Sequence, residues 1–399
     1  MKLYNSLTRQ LENFTTIEEK KVKIYVCGIT PYDTTHLGHA FTYLFFDSLI
    51  RYLKYKDYEV VYTQNVTDIN DRDNDILKRA QAQSTSWQNL AKIWTDKFLR
   101  DMEVLNWIKP DNYLFASEHI PTMTNLIKKL IEKDYAYQIN GGVYFDISKK
   151  KNFGKLSGFD ENKMLEVAKE FDEDIENPDK KNQLDITLWR PTTKNQSEHI
   201  PSFPSTFGAG RPGWHLECSA MAQASLGEQI DIHGGGTDLL YPHHESEIAQ
   251  SEGATGKIPF SKFWLHTQLV SYQGNKMSKS LGNLVLISDL LKKYSANAIR
   301  YMLLSHHYRE TWEFSEVELD EAENKILKIK PYSLGTAEGN QEVFEDNSRQ
   351  ARTINSGSIT GFVHALDDDM DTPKALEIML KARDKEETKR MAEVLGFKI

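Results

Sequence analysis

Apolar and polar positions alternate through KVKIYVCG (21–28), which is rich in β-branched residues, and this predicts a buried strand ending at a glycine turn. The next stretch, TTHLGHAFTYLFFDSLIRYLKYK, spaces its apolar residues as a helix does, behind threonines able to cap it. YEVVYTQNVTD (58–68) then predicts a second strand. Strand, helix, strand makes a βαβ unit, whose right-handed crossover brings the helix N-terminus to the carboxyl ends of parallel strands, where such sheets bind ligands.

Residues 118–133 are predicted helical, and YAYQINGGVYFDI reads as a hairpin turning at Asn140 and Gly141. From 149 to 205 the chain is charged and rich in Asn and Pro, with ITLWRP the one apolar run. QIDIHGGGTDLLYP (229–242) predicts a strand, a glycine-rich turn and a helix start, and FSKFWLHTQLVSY one further strand. Helical spacing dominates from SDLLKKYSANAIRYMLLSHHY onward, broken by the loop-like PYSLGTAEGNQEVFEDNSRQ, with Thr372 and Pro373 expected as N-cap and first helical residue. The expected fold class is α/β, with a parallel nucleotide-binding sheet. Its first half is 1–115, an inserted connective subdomain 116–205, its second half 206–285, and a mainly helical domain 286–399.

Composition narrows this little. With 39% hydrophobic and 27% charged residues over 399 positions, the chain supports two or three ordinary globular domains. No run is long and apolar enough to span a membrane, and MKLYNSLTRQLENF lacks the apolar core of a signal peptide. Cys27 and Cys218 alone make no disulfide framework, so a cytoplasmic, reduced setting is expected. A net charge of −9 argues against a broad nucleic-acid surface and leaves room for a local basic stripe or a small anionic substrate.

Four segments could carry chemistry. HLGH, His36 to His39, falls at the predicted helix start, where free N–H groups and the helix dipole favour an anion; the alternative is two surface histidines in a turn. GNKMSKSLGN (274–283) offers Lys276 and Lys279 in a loop able to close on pyrophosphate, or else a solvated surface. HGGGTD (233–238) lets a ligand lie against main chain, with Asp238 for an ammonium or hydroxyl, or is a flexible turn. His243 and Glu247 stand four apart, on one helix face, and with Cys27 and Cys218 they could complete a zinc set. Without a local CxxC, the cysteines could equally be buried apolar fillers. His244 and Glu245 point elsewhere in this geometry, to structural or surface roles.

In this order the segments resemble a class I aminoacyl-tRNA synthetase of the cysteine-activating group. CGITPYDTTHLGHA resembles its first signature, QNVTDINDRDNDILKRA its second strand region, GRPGWHLECSAM and DIHGGGTDLLYPHHESEIAQSE its metal and substrate segments, and KMSKSLGN its loop. The resemblance implies ATP with Mg2+ and L-cysteine as substrates, and one zinc ion on Cys27, Cys218, His243 and Glu247. It implies His36 and His39 at the phosphates and Lys276 and Lys279 at the leaving pyrophosphate. Adenylate and cysteine contacts are implied at Gly28, Ile29, Thr30, Gly38, Thr42, Asn65, Val66, Thr67, Trp214, Gly236, Thr237, Asp238 and Val270. Zinc bonds a thiolate strongly and a hydroxyl weakly, so it would separate cysteine from serine where an apolar pocket could not.

The acceptor divides the group. Pro31 and His39, the ending AEVLGFKI and the short stretch after Ser280 are closer to the mycothiol-pathway ligase, which joins cysteine to the amine of glucosaminyl-inositol, and that acceptor is the expectation. Glu247 with ESEIAQSEGATGK resembles the tRNA enzymes instead, EDIENPDKKNQLD departs from the ligase's Gly-Gly-Asp-Pro segment, and Asn70 replaces an aspartate usual in both. Charging of tRNA(Cys) is the alternative, and a non-catalytic adenylate- or RNA-binding paralogue a second one. A monomer is expected.

Overall fold

The computed structural model describes residues 1–31, 35–73, 76–194, 196–277, 282–329 and 357–398. Lys279 and the loop PYSLGTAEGNQEVFEDNSRQ lie outside the described residues.

Five parallel strands form the central sheet: β1 (Lys21–Ile29), β2 (Glu59–Val66), β3 (Asn112–Phe115), β4 (Ile230–Gly236) and β5 (Ser261–Thr267). Their order is β5-β4-β1-β2-β3, so the direction of winding reverses between β1 and β4. At such a switch point the connections leave to opposite sides and a crevice opens at the carboxyl ends.

Both faces of the sheet are covered, and the alternation in β1 divides its side chains between them. Val22, Ile24 and Val26 join one core with helix α1 (Leu37–Tyr55) and the C-terminal helices; Tyr25 and Cys27 join a second, with α2 (Trp214–Leu226) and α3 (Glu245–Thr255). Cys27 therefore faces α2 and α3 because it keeps the strand's period.

Four local expectations shift. The N-cap of α1 is His36, whose ring nitrogen accepts from the backbone N–H of His39, and not a threonine. The glycines of HGGGTD continue β4 as strand, paired with Leu265, His266 and Thr267, and Gly234 is glycine because a Cβ there would lie 2.0 Å from the Phe46 ring. FSKFWLHTQLVSY splits into β5 and a short strand, Val270–Tyr272: past Thr267 the chain leaves the sheet, Gln268 donates to Tyr308, and Val270 pairs with Trp312. The helix Thr372–Lys381 is capped by Asp371, one residue earlier than expected.

Between β3 and β4, the helix Ile120–Glu132 leads into the expected hairpin, with Asn140 and Gly141 both at positive φ. ITLWRP is the strand Ile186–Pro191, paired with that hairpin and with Gly210–Pro212 in a four-stranded antiparallel sheet. Among the described residues no helix is long and apolar enough to cross a membrane.

Candidate active site

A cavity of about 390 Å3 occupies the crevice at the switch point. Cys27, Gly28 and Thr30 reach it from the end of β1; His36, Gly38, His39 and Thr42 from the start of α1; Asn65 and Thr67 from β2. Trp214, Cys218, Gly236, Asp238, His243, Val270 and Lys276 close the opposite side. Ile29 and Val66, paired across β1 and β2, lie buried beside it, and neither they nor Thr237 line it.

The sequence explains the shape. A register irregularity between Val26 and Ile29 lays Gly28 against Asn65, where a Cβ would lie 1.6 Å from the Asn65 carbonyl oxygen. The backbone N–H of Gly28 donates to Asn65 Oδ1 at 2.8 Å. His36 and His39 stack with ring centroids 3.7 Å apart at the N-terminus of α1. Burial, then the neighbouring His36, pushes His39 well below the usual imidazole range, which favours the neutral ring, and its buried Nδ1 has no hydrogen-bond partner among the described residues. Across the cavity Lys276 Nζ lies 3.5 Å from Asp238 Oδ2.

Beneath the cavity Cys27, Cys218, His243 and Glu247 converge, all buried, with one ligand atom from each within 4.8 Å of the others. Burial, then Cys218, pushes the Cys27 thiol up; burial pushes Glu247 up and His243 down. Each shift favours a neutral group, the state of donors with no cation among them. A second grouping, Cys27, His233, His244 and Glu247, meets the same distance limit.

Coordination geometry separates the two. Thiolates held tetrahedrally at about 2.3 Å stand about 3.8 Å apart, and an imidazole and a carboxylate at about 2.05 Å stand about 3.3 Å apart. Cys27 and Cys218 have their Sγ atoms 3.8 Å apart, and His243 Nε2 is 3.3 Å from Glu247 Oε1. In the second grouping His244 Nε2 is 3.2 Å from Cys27 Sγ and 4.0 Å from Glu247 Oε1, and His233 Nε2 sits at 2.9 Å, hydrogen-bond distance, from the other oxygen, Oε2. The first set fits a four-coordinate ion with sulfur, nitrogen and oxygen donors, and His233 fits a partner that orients Glu247.

Around this set lies a layer that sequence reasoning missed. Of the chain's 12 histidines, His215, His233, His243, His244 and His266 gather here. His244 belongs to that layer: it is fully buried, with Nδ1 2.8 Å from His266 Nε2, so a surface role is excluded. Glu245 is buried as well, and accepts from the Ser157 backbone at 3.0 Å. His215 Nδ1 is 2.9 Å from His243 Nδ1, and its Nε2 is 3.1 Å from Glu173. Arg72 lies 3.7 Å over the Trp214 ring, which itself stacks on His243. The available signal was the adjacency of His215 to Trp214 and of His233 to the glycines; Glu173 and Arg72 carried none.

Residues 13–324 match the family described as the tRNA synthetases class I (C) catalytic domain. A protein named cysteine–tRNA ligase from Trichodesmium erythraeum (strain IMS101) is 42% identical over 389 residues, covering 96% of this chain and 78% of its own. One of the same name from Dehalococcoides mccartyi (strain ATCC BAA-2100 / JCM 16839 / KCTC 5957 / BAV1) is 46% identical over 331 residues, covering 83% and 70%. Among solved structures, Mycobacterium tuberculosis methionyl-tRNA synthetase in complex with methionyl-adenylate superposes with a TM-score of 0.63 at 15% identity, over 94% of this chain and 88% of that one, and this likeness concerns the fold. These relatives overturn the glucosaminyl-inositol acceptor. Differences at Pro31 and His39 are single positions set against 42% identity over 389 residues. From 13 to 324 and beyond, this chain belongs to the class I tRNA synthetases, in the family of the (C) catalytic domain.

Proposed function

We propose that this protein is an ATP-dependent ligase of the cytoplasm that activates L-cysteine and charges tRNA(Cys) with it. The observation that carries the reading is the two-thiol, imidazole and carboxylate set lying beneath the same cavity that His36 and His39 enter. The names and coverage of the relatives support it independently.

In this reading the catalytic domain comprises 1–115 and 206–285, 116–205 is its connective insertion, and 286–399 is a helical domain. The cysteine carboxylate attacks the α-phosphate of Mg-ATP, giving cysteinyl-adenylate and pyrophosphate. A terminal ribose hydroxyl of tRNA then attacks the activated carbonyl, and AMP leaves. His36 and His39, with the N-terminus of α1, stabilise the phosphates, and Lys276 and Lys279 the leaving pyrophosphate. Gly28 and Gly236 admit the nucleotide against main chain, Asn65, Thr67 and Thr42 offer polar contacts, and Asp238 takes the substrate ammonium. Trp214 and Val270 wall the site. Cys27, Cys218, His243 and Glu247 would hold a zinc ion, which would supply a bond to the substrate thiolate that serine cannot match.

Cysteine-dependent ATP–pyrophosphate exchange, followed by transfer of labelled cysteine to tRNA, tests the proposal. Exchange and labelled tRNA are expected; no exchange above background from zinc-loaded protein would sink it.

A further inference from the structure

Glu173 stands at the junction of the inserted segment and the donor cluster. It follows the helix Glu161–Glu170, and its Oε1 is within hydrogen-bond reach of two groups at once: Arg72 Nη2 at 2.7 Å and His215 Nε2 at 3.1 Å. The contacts continue inward from His215 Nδ1 to His243 Nδ1 at 2.9 Å, and from His243 Nε2 toward the donor set. His215 and His243 are almost fully buried, so neither ring can exchange this pairing for water.

Proton placement along the chain is fixed by what each atom can do. An ionised carboxylate only accepts, so the Nε2 facing Glu173 carries hydrogen. The two facing Nδ1 atoms share one hydrogen, and with it on His243 the Nδ1 of His215 is the acceptor. That leaves His243 Nε2 without hydrogen, the one state in which it can bind a cation.

We propose that Glu173 is a positioning residue: through His215 it selects the tautomer of His243 that binds metal, so docking of the inserted segment prepares the cluster. This rests on the metal reading of Cys27, Cys218, His243 and Glu247. Without Glu173, His215 is free to carry its hydrogen on Nδ1, which would leave His243 holding hydrogen on Nε2 and unable to bind. Arg72 is the mechanical partner of the same carboxylate, and it is not part of the proton sequence.

The test titrates Co2+ against a chelating dye in the full chain, following the visible d–d absorption of tetrahedral cobalt. Glu173→Ala is expected to weaken Co2+ binding about 10- to 100-fold and diminish the absorption. Glu173→Gln, which keeps an oxygen acceptor, should stay within about threefold of wild type, and Arg72→Ala within about twofold. Glu173 lies in irregular backbone with its side chain 16% exposed, so its truncation opens no core cavity. Glu173→Ala binding Co2+ as wild type does, or Arg72→Ala losing it equally, would overturn the relay alone. Wild-type protein that takes up no Co2+ would overturn the metal reading and the relay together.

Discussion

Two buried polar clusters flank the sheet, and none of their six principal residues is more than 5% exposed: Asp47 and Arg300 on one side, Cys27, Cys218, His243 and Glu247 on the other. The first is closed. Arg300 Nη2 meets Asp47 Oδ2, its Nη1 donates to Leu105 O at 2.8 Å, and Asp47 Oδ1 accepts from the Ile108 N–H at 2.7 Å. Charge and hydrogen-bonding capacity are both answered within the chain. The second consists of donors converging on one point, with protonation shifted by burial toward neutral forms. Breaking a buried ion pair is strongly destabilising, whereas these ligands project from elements packed in an apolar core of their own, so losing an ion is expected to leave the fold in place. Burial alone does not distinguish structure from function; whether the groups satisfy one another does.

Removing one partner of the closed pair should have the largest effect. Arg300→Met would leave Asp47 with Arg51, at 3.0 Å, and the Ile108 N–H, and would vacate three backbone contacts. The expected loss is about 3–5 kcal/mol in urea unfolding, with metal stoichiometry of the folded protein unchanged. A loss under about 1 kcal/mol would erase the contrast. His243→Ala should invert the pattern: a loss in metal affinity of at least about 100-fold, roughly 2.7 kcal/mol, lost discrimination of cysteine from serine, and a smaller stability change than Arg300→Met in chelator-treated protein. Retention of both metal and selectivity would show that His244, 3.2 Å from Cys27, is the ligand instead.

Proton dependence sharpens the same contrast at a smaller magnitude. Burial raises Cys27 above its ordinary value, so near neutrality the thiol holds a proton that a cation must displace, and burial shifts Glu247 in the same direction. Affinity should therefore rise with pH, by at least about tenfold between pH 6.5 and 7.5, roughly 1.4 kcal/mol for each proton released. Affinity that is flat across this window would mean the donors are already ionised without metal.

The open cluster was more legible in the sequence than the closed one. Cys27 follows from strand period, and His243 with Glu247 from helical spacing, so their faces were readable locally. The Asn140–Gly141 hairpin was readable for the same reason. Asp47 and Arg300 lie 253 positions apart, and a polar residue inside an amphipathic helix looks like any other until its partner arrives. His266 was invisible likewise, because a histidine in a buried run carries no mark of what it faces, and His215 and His233 carried only their adjacency to Trp214 and to the glycines. HGGGTD misled because glycine suits both turns and strands; the pairing with Leu265, His266 and Thr267, distant in sequence, makes it strand.

The smallest stability effect belongs to the cavity mouth, where a charge lies outside both clusters. Lys276 is half exposed, its side chain at 52%, and its contact with Asp238 at 3.5 Å is a surface ion pair. Such pairs contribute little in water, so Lys276→Ala should change unfolding free energy by less than about 0.5 kcal/mol. Its proposed work is on charge that develops only as pyrophosphate departs. The same substitution should thus lower kcat for ATP–pyrophosphate exchange while leaving the KM for cysteine near the wild-type value. Equal changes in the two constants would assign Lys276 to ground-state binding, and a stability loss comparable to that of Arg300→Met would make it part of the scaffold.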